Sequence, residues 1–214
     1  MSDDRLKITE IFASIQGESD LVGWPTVFVR LTGCPLRCRW CDTPYSFHGG
    51  QWFEFDAIVD EVRRLGPKRV CVTGGEPLAQ KRCLALLTRL CDEGFTVSLE
   101  TSGAISVAEV DPRVIKVVDF KAPGSAEMDR NLWANIDHLQ PHDQIKIVIA
   151  DRADFDWAMA ESRTRKLDRW QLLFSPVWNE LQPGELAAWI LETRAPVRLQ
   201  VQLHKYLWGE EPGR

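Results

Sequence analysis

Three cysteines lie close together in the segment GCPLRCRWCDTP at residues 33–44. Cys34, Cys38 and Cys41 follow the spacing Cys-x3-Cys-x2-Cys, and the neighbouring glycine and proline disfavour regular secondary structure. Thiolates spaced in this way can bind a polynuclear iron–sulfur cluster from one side. Because a [4Fe–4S] cluster usually has four cysteine ligands, three cysteines leave one iron free to bind another molecule. The segment therefore predicts a cluster that can activate a ligand.

Two other interpretations of this segment stay open from the spacing alone. A structural zinc site would use the same three cysteines with a fourth ligand such as His48, since Cys3His is an accepted zinc ligand set. The thiols could also be inert. The remaining cysteines, Cys71, Cys83 and Cys91, lie in apolar strand-like or helix-like patterns and are predicted to be small buried side chains. Disulfides are disfavoured because the chain is predicted to be cytoplasmic, where thiols stay reduced.

Strand-like and helix-like segments alternate along the chain. The predicted strands are rich in Val, Ile and Leu, which is typical of strands buried on both faces. These strands are residues 26–32, 69–74, 96–101, 114–120, 144–150 and 170–175. Amphipathic helices are predicted at 55–66, 78–94, 151–162 and 183–194. The alternation predicts a parallel sheet with crossover helices, to which 197–203 would add a seventh strand and 6–18 an edge element.

Polar and glycine-rich segments follow the carboxyl ends of these strands. They are the cysteine segment, TGGEP at 73–77, ETSG at 100–103, DFKAPGS at 119–125 and SPVW at 175–178. Loops at the carboxyl ends of parallel strands converge on one edge, so these segments are predicted to form one shared site. About six strands, fewer than a closed barrel needs, predict an α/β fold with a partial, open TIM-like β/α barrel. The absence of a linker predicts a single domain over residues 1–214.

The composition narrows the classes of partner. The chain has 214 residues, of which 44% are hydrophobic and 27% charged, and its formal net charge is −5. A broad binding surface for nucleic acid or an anionic membrane needs clustered excess Lys and Arg, so neither partner is expected. The sequence contains no signal-peptide pattern and no apolar run of membrane-spanning length. These features predict a cytoplasmic protein with a small-molecule partner.

The cysteine segment carries a family resemblance. CPLRCRWC, with an aromatic residue before its last cysteine, resembles the signature of radical S-adenosylmethionine (SAM) enzymes, and TGGEP resembles the glycine-rich motif of that superfamily. Gly74 and Gly75 in that motif are expected to let the backbone approach the cofactor closely. Residues 11–19, 27–47 and 199–209 further resemble the 7-carboxy-7-deazaguanine synthases. Glycyl-radical activating enzymes share the cysteine spacing but act on a protein, and a zinc-stabilised binding module is the alternative from another class.

The resemblance implies a reaction and its cofactors. Members of the family convert 6-carboxy-5,6,7,8-tetrahydropterin to 7-carboxy-7-deazaguanine with loss of ammonia, on the route to queuosine and other 7-deazapurines. The implied cofactors are a [4Fe–4S] cluster, SAM and Mg²⁺. One electron cleaves SAM, and the resulting radical abstracts a hydrogen atom from the substrate. The resemblance also implies a flavodoxin or ferredoxin as reductant and a homodimer.

Matching positions carry the family's site residues over to this chain. The resemblance implies that Cys34, Cys38 and Cys41 bind the cluster and that Thr43 binds Mg²⁺. The implied neighbours of SAM are Trp40, Cys41, Asp42, Gly75, Ser102, Lys121 and Ser175. The implied pterin-binding residues are Ile15, Gln16, Gly17, Arg30, Thr73 and His204. The tail, about residues 204–214, is expected to close over the substrate site.

Several of these residues have ordinary structural alternatives. Arg30 could be a solvent-facing strand residue, and Gln16 could cap a turn. Lys121 could pair with an acidic neighbour such as Asp119 for structural reasons alone. His204 could lie on a surface strand. The sequence leaves these alternatives open.

Overall fold

The computed structural model describes residues 4–209, 211 and 213. Within these residues, nine strands form one open sheet in the order β3-β1-β2-β4-β5-β6-β7-β8-β9. The strands are β1 (Arg5–Ile15), β2 (Pro25–Leu31), β3 (Gln51–Glu54), β4 (Arg69–Gly74), β5 (Thr96–Thr101), β6 (Ile115–Phe120), β7 (Gln144–Ile149), β8 (Gln171–Pro176) and β9 (Arg198–Leu199). β1 pairs antiparallel with β2 and β3, and each neighbouring pair from β2 to β9 is parallel. The prediction of a mostly parallel, open sheet is confirmed.

Among the residues described, four α-helices lie between strands of the sheet, and a fifth follows β9. They are α1 (Phe55–Leu65), α2 (Cys83–Asp92), α3 (Arg152–Arg165), α4 (Pro183–Thr193) and α5 (Leu203–Trp208). Local sequence signals fix several helix ends. The side chain of Asp151 caps α3 by accepting the N–H of Asp154 at 2.9 Å, and α4 begins at a proline. Gly66, with φ of 102°, ends α1 in a conformation that other residues rarely adopt.

The parallel strands are buried on both faces, as their apolar composition predicts. Val70, Cys71 and Val72 in the middle of β4 are fully buried, and the same is true of Ile145 and Ile147 in β7. The helices pack their apolar sides against this sheet to form one hydrophobic cluster. A rigid sheet core therefore supports the loops at the carboxyl ends of the strands.

The predicted strand at 197–203 is wrong over most of its length. β9 covers only Arg198–Leu199, and the chain then turns into α5. The side chain of Gln200 accepts the N–H of Ser19 at 2.6 Å, and the N–H of Leu203 donates to the carbonyl of Gly17 at 3.0 Å. Because these tertiary hydrogen bonds are unavailable to an isolated segment, the alternating pattern overstated the strand.

Three other details differ from the sequence expectations. The helix predicted from residue 78 begins at Cys83, because the side chain of Gln80 instead donates to the carbonyls of Lys7 and Thr32. β3 had no prediction, although it forms the sheet edge beside β1. Cys91 is only partly buried, whereas the other two core cysteines are buried as predicted. In the described part of the chain, no helix is both long and apolar enough to span a membrane.

Candidate active site

One cavity of about 430 Å³ opens at the carboxyl ends of the parallel strands. The segments that follow these strands meet here with the cysteine segment, the end of β1 and helix α5. Of the site residues inferred from sequence, those lining the cavity are Ile15, Gln16, Arg30, Cys34, Cys38, Trp40, Cys41, Asp42, Thr43, Thr73, Gly75, Ser102, Lys121, Ser175 and His204. Gly17 does not line it and has another role, described below.

The backbone of Gly75 packs directly against the cysteine segment. A Cβ atom at this position would lie 2.4 Å from the carbonyl oxygen of Gly33 and 2.7 Å from the Cβ of Cys34, closer than real Cβ atoms approach. The N–H of Glu76 donates to the same carbonyl at 2.8 Å. The space beside Gly75 is thus filled by protein. Gly75 was expected to let the cofactor approach the backbone. Its first role is to let the cysteine segment pack closely against that backbone.

The three thiols of this segment are partly buried and line the same cavity. The N–H of Leu36 donates to Sγ of Cys34 at 3.4 Å, and such contacts to sulfur tune iron–sulfur clusters. Burial raises the pKa of Cys38 to about 11, so binding a metal must displace its proton. Of the described residues, no further cysteine lines the cavity. Three thiols without a fourth fit a cluster with one open iron.

The zinc alternative fits the site less well. A zinc ion needs its ligands within about 2.3 Å of one centre. Among residues 4–209, 211 and 213, no group of three or more His, Cys, Asp or Glu is arranged to hold a single metal ion. His48 is exposed and does not line the cavity. In a [4Fe–4S] cube each thiolate binds a different iron, so the sulfur atoms need not converge on one point.

Glu76 joins the loops that follow β4 and β5. Its fully buried carboxylate accepts hydrogen bonds from Thr101 Oγ1 at 2.9 Å, from the Ser102 N–H at 2.7 Å and from Ser102 Oγ at 2.5 Å. Because the hydroxyl hydrogen of Ser102 is directed to Glu76, the Ser102 oxygen can act toward the cavity only as an acceptor. An acceptor suits the ammonium or a hydroxyl group of SAM.

Lys121 lines the cavity and also forms the ion pair that the sequence left open. Its Nζ lies 3.0 Å from Oδ1 of Asp119, the second-last residue of β6. Burial opposes the charge of Lys121, but Asp119 outweighs it and raises the lysine pKa above its usual value. Ser175 at the end of β8 is likewise buried, and Trp40 is partly exposed beneath the guanidinium of Arg39. Lys121 and Trp40 lie near the thiols, since the charge of Lys121 acts on Cys38 and Trp40 directly precedes Cys41.

Glu18 and Lys146 form a buried ion pair in the cavity wall that the sequence reasoning missed. Lys146 Nζ contacts Glu18 Oε2, and the ammonium lies 3.7 Å from Asp119 Oδ2. Burial disfavours both charges, but their attraction lowers the pKa of Glu18 and raises that of Lys146. The available signal was a lysine inside the apolar strand QIKIVI, since a lysine is rarely fully buried unless it is paired.

Glu100, the second-last residue of β5, contributes a second carboxyl to the cavity wall and is partly buried. It accepts hydrogen bonds from Thr73 Oγ1 at 3.2 Å and Gln16 Nε2 at 3.4 Å, both neutral donors. Burial, and then the nearby charge of Glu18, raises the pKa of Glu100. The other end of the Gln16 amide accepts the N–H of Glu18 at 3.1 Å. Gln16 therefore caps a turn and faces the cavity at the same time.

Arg30 is not the solvent-facing strand residue that the sequence left as an alternative. Its side chain is 14% exposed, and Nε donates to Oε1 of Glu10 at 2.7 Å. Burial opposes the charge, but Tyr45 and Glu10 outweigh it and raise the pKa of Arg30. The guanidinium is therefore a permanent positive charge at the cavity wall.

His204 lies on α5 rather than on a surface strand, and it lines the cavity. A Cβ atom on Gly17 would lie 2.0 Å from Nδ1 of His204, so only glycine permits this contact. This is the role of Gly17: it seats the histidine instead of lining the cavity. Burial lowers the pKa of His204, which favours the neutral imidazole.

The segment around α5 closes one side of the cavity. Gln202 Nε2 donates to Glu18 Oε1 at 2.7 Å and to Asp42 Oδ2 at 3.3 Å, and Lys205 pairs with the same aspartate. Farther along, a Cβ atom on Gly213 would lie 3.7 Å from Glu10 Oε2. The expected closure by residues 204–214 also involves 210, 212 and 214, which lie outside the described residues.

Thr43 follows the last cysteine by two residues and faces the cavity. Its carbonyl accepts hydrogen bonds from the N–H and hydroxyl of Ser46, at 3.0 and 2.8 Å. Its hydroxyl oxygen lies 3.9 Å from Sγ of Cys41. A neutral hydroxyl is an oxygen ligand of the kind that Mg²⁺ accepts beside substrate oxygens and water. Thr43 therefore fits a role in holding this ion.

Comparison with known proteins agrees with this geometry. Residues 28–117 match the family model of the radical SAM superfamily. The structure resembles the crystal structure of QueE from Escherichia coli with a TM-score of 0.73 and 24% sequence identity, covering 94% of this chain and 95% of that one. At that identity the likeness concerns the fold.

Two sequence relatives share a higher sequence identity with this chain. The 7-carboxy-7-deazaguanine synthase of Chlorobaculum tepidum is 44% identical over 210 residues, which cover 96% of each chain. That of Koribacter versatilis is 42% identical over 222 residues, covering 96% of this chain and 98% of the relative. Identity at this level over nearly the full length of both proteins establishes common descent. The chain belongs to the 7-carboxy-7-deazaguanine synthase family of radical SAM enzymes.

Proposed function

We propose that this protein converts 6-carboxy-5,6,7,8-tetrahydropterin to 7-carboxy-7-deazaguanine and ammonia, as a radical SAM lyase of queuosine and 7-deazapurine biosynthesis. One observation carries the proposal. One cavity is lined by the three cysteine thiols, by Arg30, whose side chain is 14% exposed, by the buried carboxylate of Glu18 and by neutral polar groups. The cavity would therefore place two molecules side by side. One is a cofactor bound by three thiolates, and the other is a polar heterocycle that carries a carboxylate.

The cofactor end of the cavity would be organised by Cys34, Cys38 and Cys41 as cluster ligands. The bound cluster and SAM supply the one-electron cleavage that makes a hydrogen-abstracting radical. The chain's own contribution is placement. Gly75 seats the cysteine segment, while Ser102 offers a hydroxyl oxygen whose hydrogen is already committed to Glu76. Trp40, Asp42, Lys121 and Ser175 complete the SAM neighbours.

The substrate end would hold the pterin by its polar edges. Arg30 suits the substrate carboxylate, because a guanidinium presents a planar pair of donors to it. Thr73 and Gln16 both donate to the carboxyl of Glu100, which gives this wall both donors and acceptors. The implied contacts also include Ile15 and His204. Closure by α5 would exclude water from the reacting atoms.

Mg²⁺ is part of the proposal through Thr43. Thr43 lines the cavity with its hydroxyl 3.9 Å from Sγ of Cys41, whereas its carbonyl already accepts two hydrogen bonds from Ser46. The ion would complete its shell with a substrate carboxylate oxygen and water. Its chemical role would be to hold that carboxylate in place during ring contraction.

The domain organisation, the oligomeric state, the reductant and the cellular location are proposed from the family resemblance. We expect one domain, a homodimer and a flavodoxin or ferredoxin reductant. Pro35, Arg37 and Arg39 are exposed on the cysteine segment, which supports approach of a protein donor to the cluster from outside the cavity. The proposal includes a cytoplasmic location, because a reducing compartment would keep Cys34, Cys38 and Cys41 available for the cluster.

The two alternative functions receive less support. A glycyl-radical activating enzyme must admit a polypeptide loop, whereas α5 and its contacts to Glu18 and Asp42 narrow this cavity. A zinc-stabilised module lacks a convergent ligand group among the described residues. The small-molecule reaction remains the best-supported function.

An anaerobic turnover assay tests the proposal. The reconstituted protein would be incubated with carboxytetrahydropterin, SAM, Mg²⁺ and reductant, and the deazapurine followed by absorbance and mass. We expect product formation that depends on all four additions. SAM cleavage without any deazapurine would refute the proposed substrate while keeping the radical SAM chemistry.

A further inference from the structure

Glu10 lies behind Arg30 and does not line the cavity itself. The two residues are directly opposite each other on β1 and β2, and Glu10 Oε1 accepts Nε of Arg30 at 2.7 Å. Among the described residues, the terminal nitrogens Nη1 and Nη2 of Arg30 have no hydrogen-bond acceptor. Glu10 therefore fixes the inner nitrogen of the guanidinium and leaves the outer pair available to a ligand.

The same carboxylate also holds the turn that carries Thr43. The hydroxyl of Tyr45 donates to Glu10 Oε1 at 3.0 Å, and Tyr45 belongs to the short 3₁₀ helix that begins one residue after Thr43. The rings of Tyr45 and Phe12 each lie 6.0 Å from the Arg30 guanidinium carbon and flank it. One carboxylate oxygen thus links a cavity arginine to the turn beside the cysteine segment.

An exposed Glu–Arg pair across two strands is commonplace and contributes little. This pair differs in three respects. Arg30 is 14% exposed and Glu10 is 21% exposed. The arginine faces a cavity, and the carboxylate has a second donor from another segment. Such an arrangement restricts the guanidinium to one orientation, which a simple surface pair does not require.

We propose that Glu10 is a positioning residue that makes the cavity selective for a carboxylated pterin. The inference rests on the proposed function, in which Arg30 and an ion at Thr43 both engage the substrate carboxylate. Glu10, through Arg30 and Tyr45, sets the distance between these two groups. Loss of this link weakens recognition of the carboxylate while leaving the rest of the pterin contacts in place.

Binding of two fluorescent probes tests this without turnover. The probes are 6-carboxypterin and unsubstituted pterin, titrated anaerobically into reconstituted protein with SAM and Mg²⁺. The variants are Glu10→Ala, Glu10→Gln and Tyr45→Phe. Glu61→Gln is the matched control, because Glu61 pairs with Arg64 on the surface of α1, away from the cavity. Thermal unfolding of each variant accompanies the titrations.

We expect the parent and Glu61→Gln to prefer 6-carboxypterin over pterin. Glu10→Ala should weaken 6-carboxypterin binding about tenfold, as expected for losing a hydrogen bond to a charged group, with pterin binding unchanged. Glu10→Gln and Tyr45→Phe should each give a smaller loss confined to the same probe. Equal weakening of both probes, no change in either, or a parent without preference for the carboxylate would each overturn the inference.

Failure of the inference is distinguishable from failure of the proposed function. If the parent forms the deazapurine but Glu10→Ala keeps its preference for 6-carboxypterin, only the positioning role is lost. If the parent forms no deazapurine, the proposed function fails, whatever the probe titrations give.

Discussion

Lys205 Nζ lies 3.2 Å from Asp42 Oδ2 and joins helix α5 to the residue that follows Cys41. The lysine side chain is 6% exposed, whereas that of the aspartate is 40% exposed. The ion pair thus connects the closing segment of the cavity to the cysteine segment. If the chain binds a cluster and closes over a substrate as proposed, both events act on one connected piece of structure.

Lys205→Met should loosen α5 without disturbing the sheet. Because one partner is substantially exposed, the pair contributes about 1 kcal/mol or less. Amide exchange in 203–208 should accelerate by up to about fivefold, which hydrogen–deuterium exchange with mass spectrometry measures. Lys81→Met, at an exposed position before α2, is the control and should exchange like the parent. If amide exchange in 203–208 stays unchanged, the Lys205–Asp42 pair does not hold α5 in place.

Lys146→Met should destabilise the whole protein. It leaves Glu18 as a buried charge without its ammonium partner, which costs about 3–5 kcal/mol. Denaturant unfolding measures the loss. The double variant with Glu18→Gln should recover part of it, because neither charge then remains. A double variant no more stable than Lys146→Met would contradict the pairing.

Glu100 should make stability depend on pH. Burial raises its pKa in the folded protein, so the folded state holds this proton to higher pH than the unfolded chain, where a glutamate titrates near about 4.3. The stability that the bound proton contributes is fully present below the pKa of Glu100 in the unfolded chain. It is lost as the pH rises through the pKa of Glu100 in the folded protein. Glu100→Gln, which cannot ionise, should therefore gain thermal stability relative to the parent as pH increases. A difference in Tm that stays constant or falls with rising pH would contradict the shift.

If Thr43 holds Mg²⁺ as proposed, Thr43→Ala should weaken the response to Mg²⁺ by about tenfold, because the variant lacks the hydroxyl oxygen. Thr43→Ser retains the hydroxyl and serves as the matched variant. The measurement is the Mg²⁺ concentration that gives half-maximal turnover. If the alanine variant responds to Mg²⁺ as the parent does, the ion lies elsewhere.

The functional segments could be predicted from the sequence because each one combines uncommon residue types within a few positions. Cys34, Cys38 and Cys41 stand in a loop, and apolar strands lead into each polar segment. The fold class follows from that same alternation. These features are local, so a single sequence carries them.

The contacts that complete the cavity come from residues far apart in the chain. In sequence Glu10 looks like an ordinary surface acid in a strand, and only its neighbours Arg30 and Tyr45 give it a role. The segment 197–203 was predicted as a strand, but only Arg198–Leu199 pair in β9, because the Gln200 side chain hydrogen-bonds to a distant turn. Such partners depend on tertiary structure, which spacing does not encode.

The most direct test of the central claim is the metal content of three reconstituted proteins. Parent protein and Cys91→Ala, whose cysteine lies on α2 outside the cavity, should bind about four iron and four sulfide per chain. Adding SAM should change the electron paramagnetic resonance signal of the reduced cluster. Cys38→Ala should bind no intact cluster and leave SAM uncleaved. Stoichiometric zinc without iron in the parent, or a fully active Cys38→Ala variant, would contradict the account.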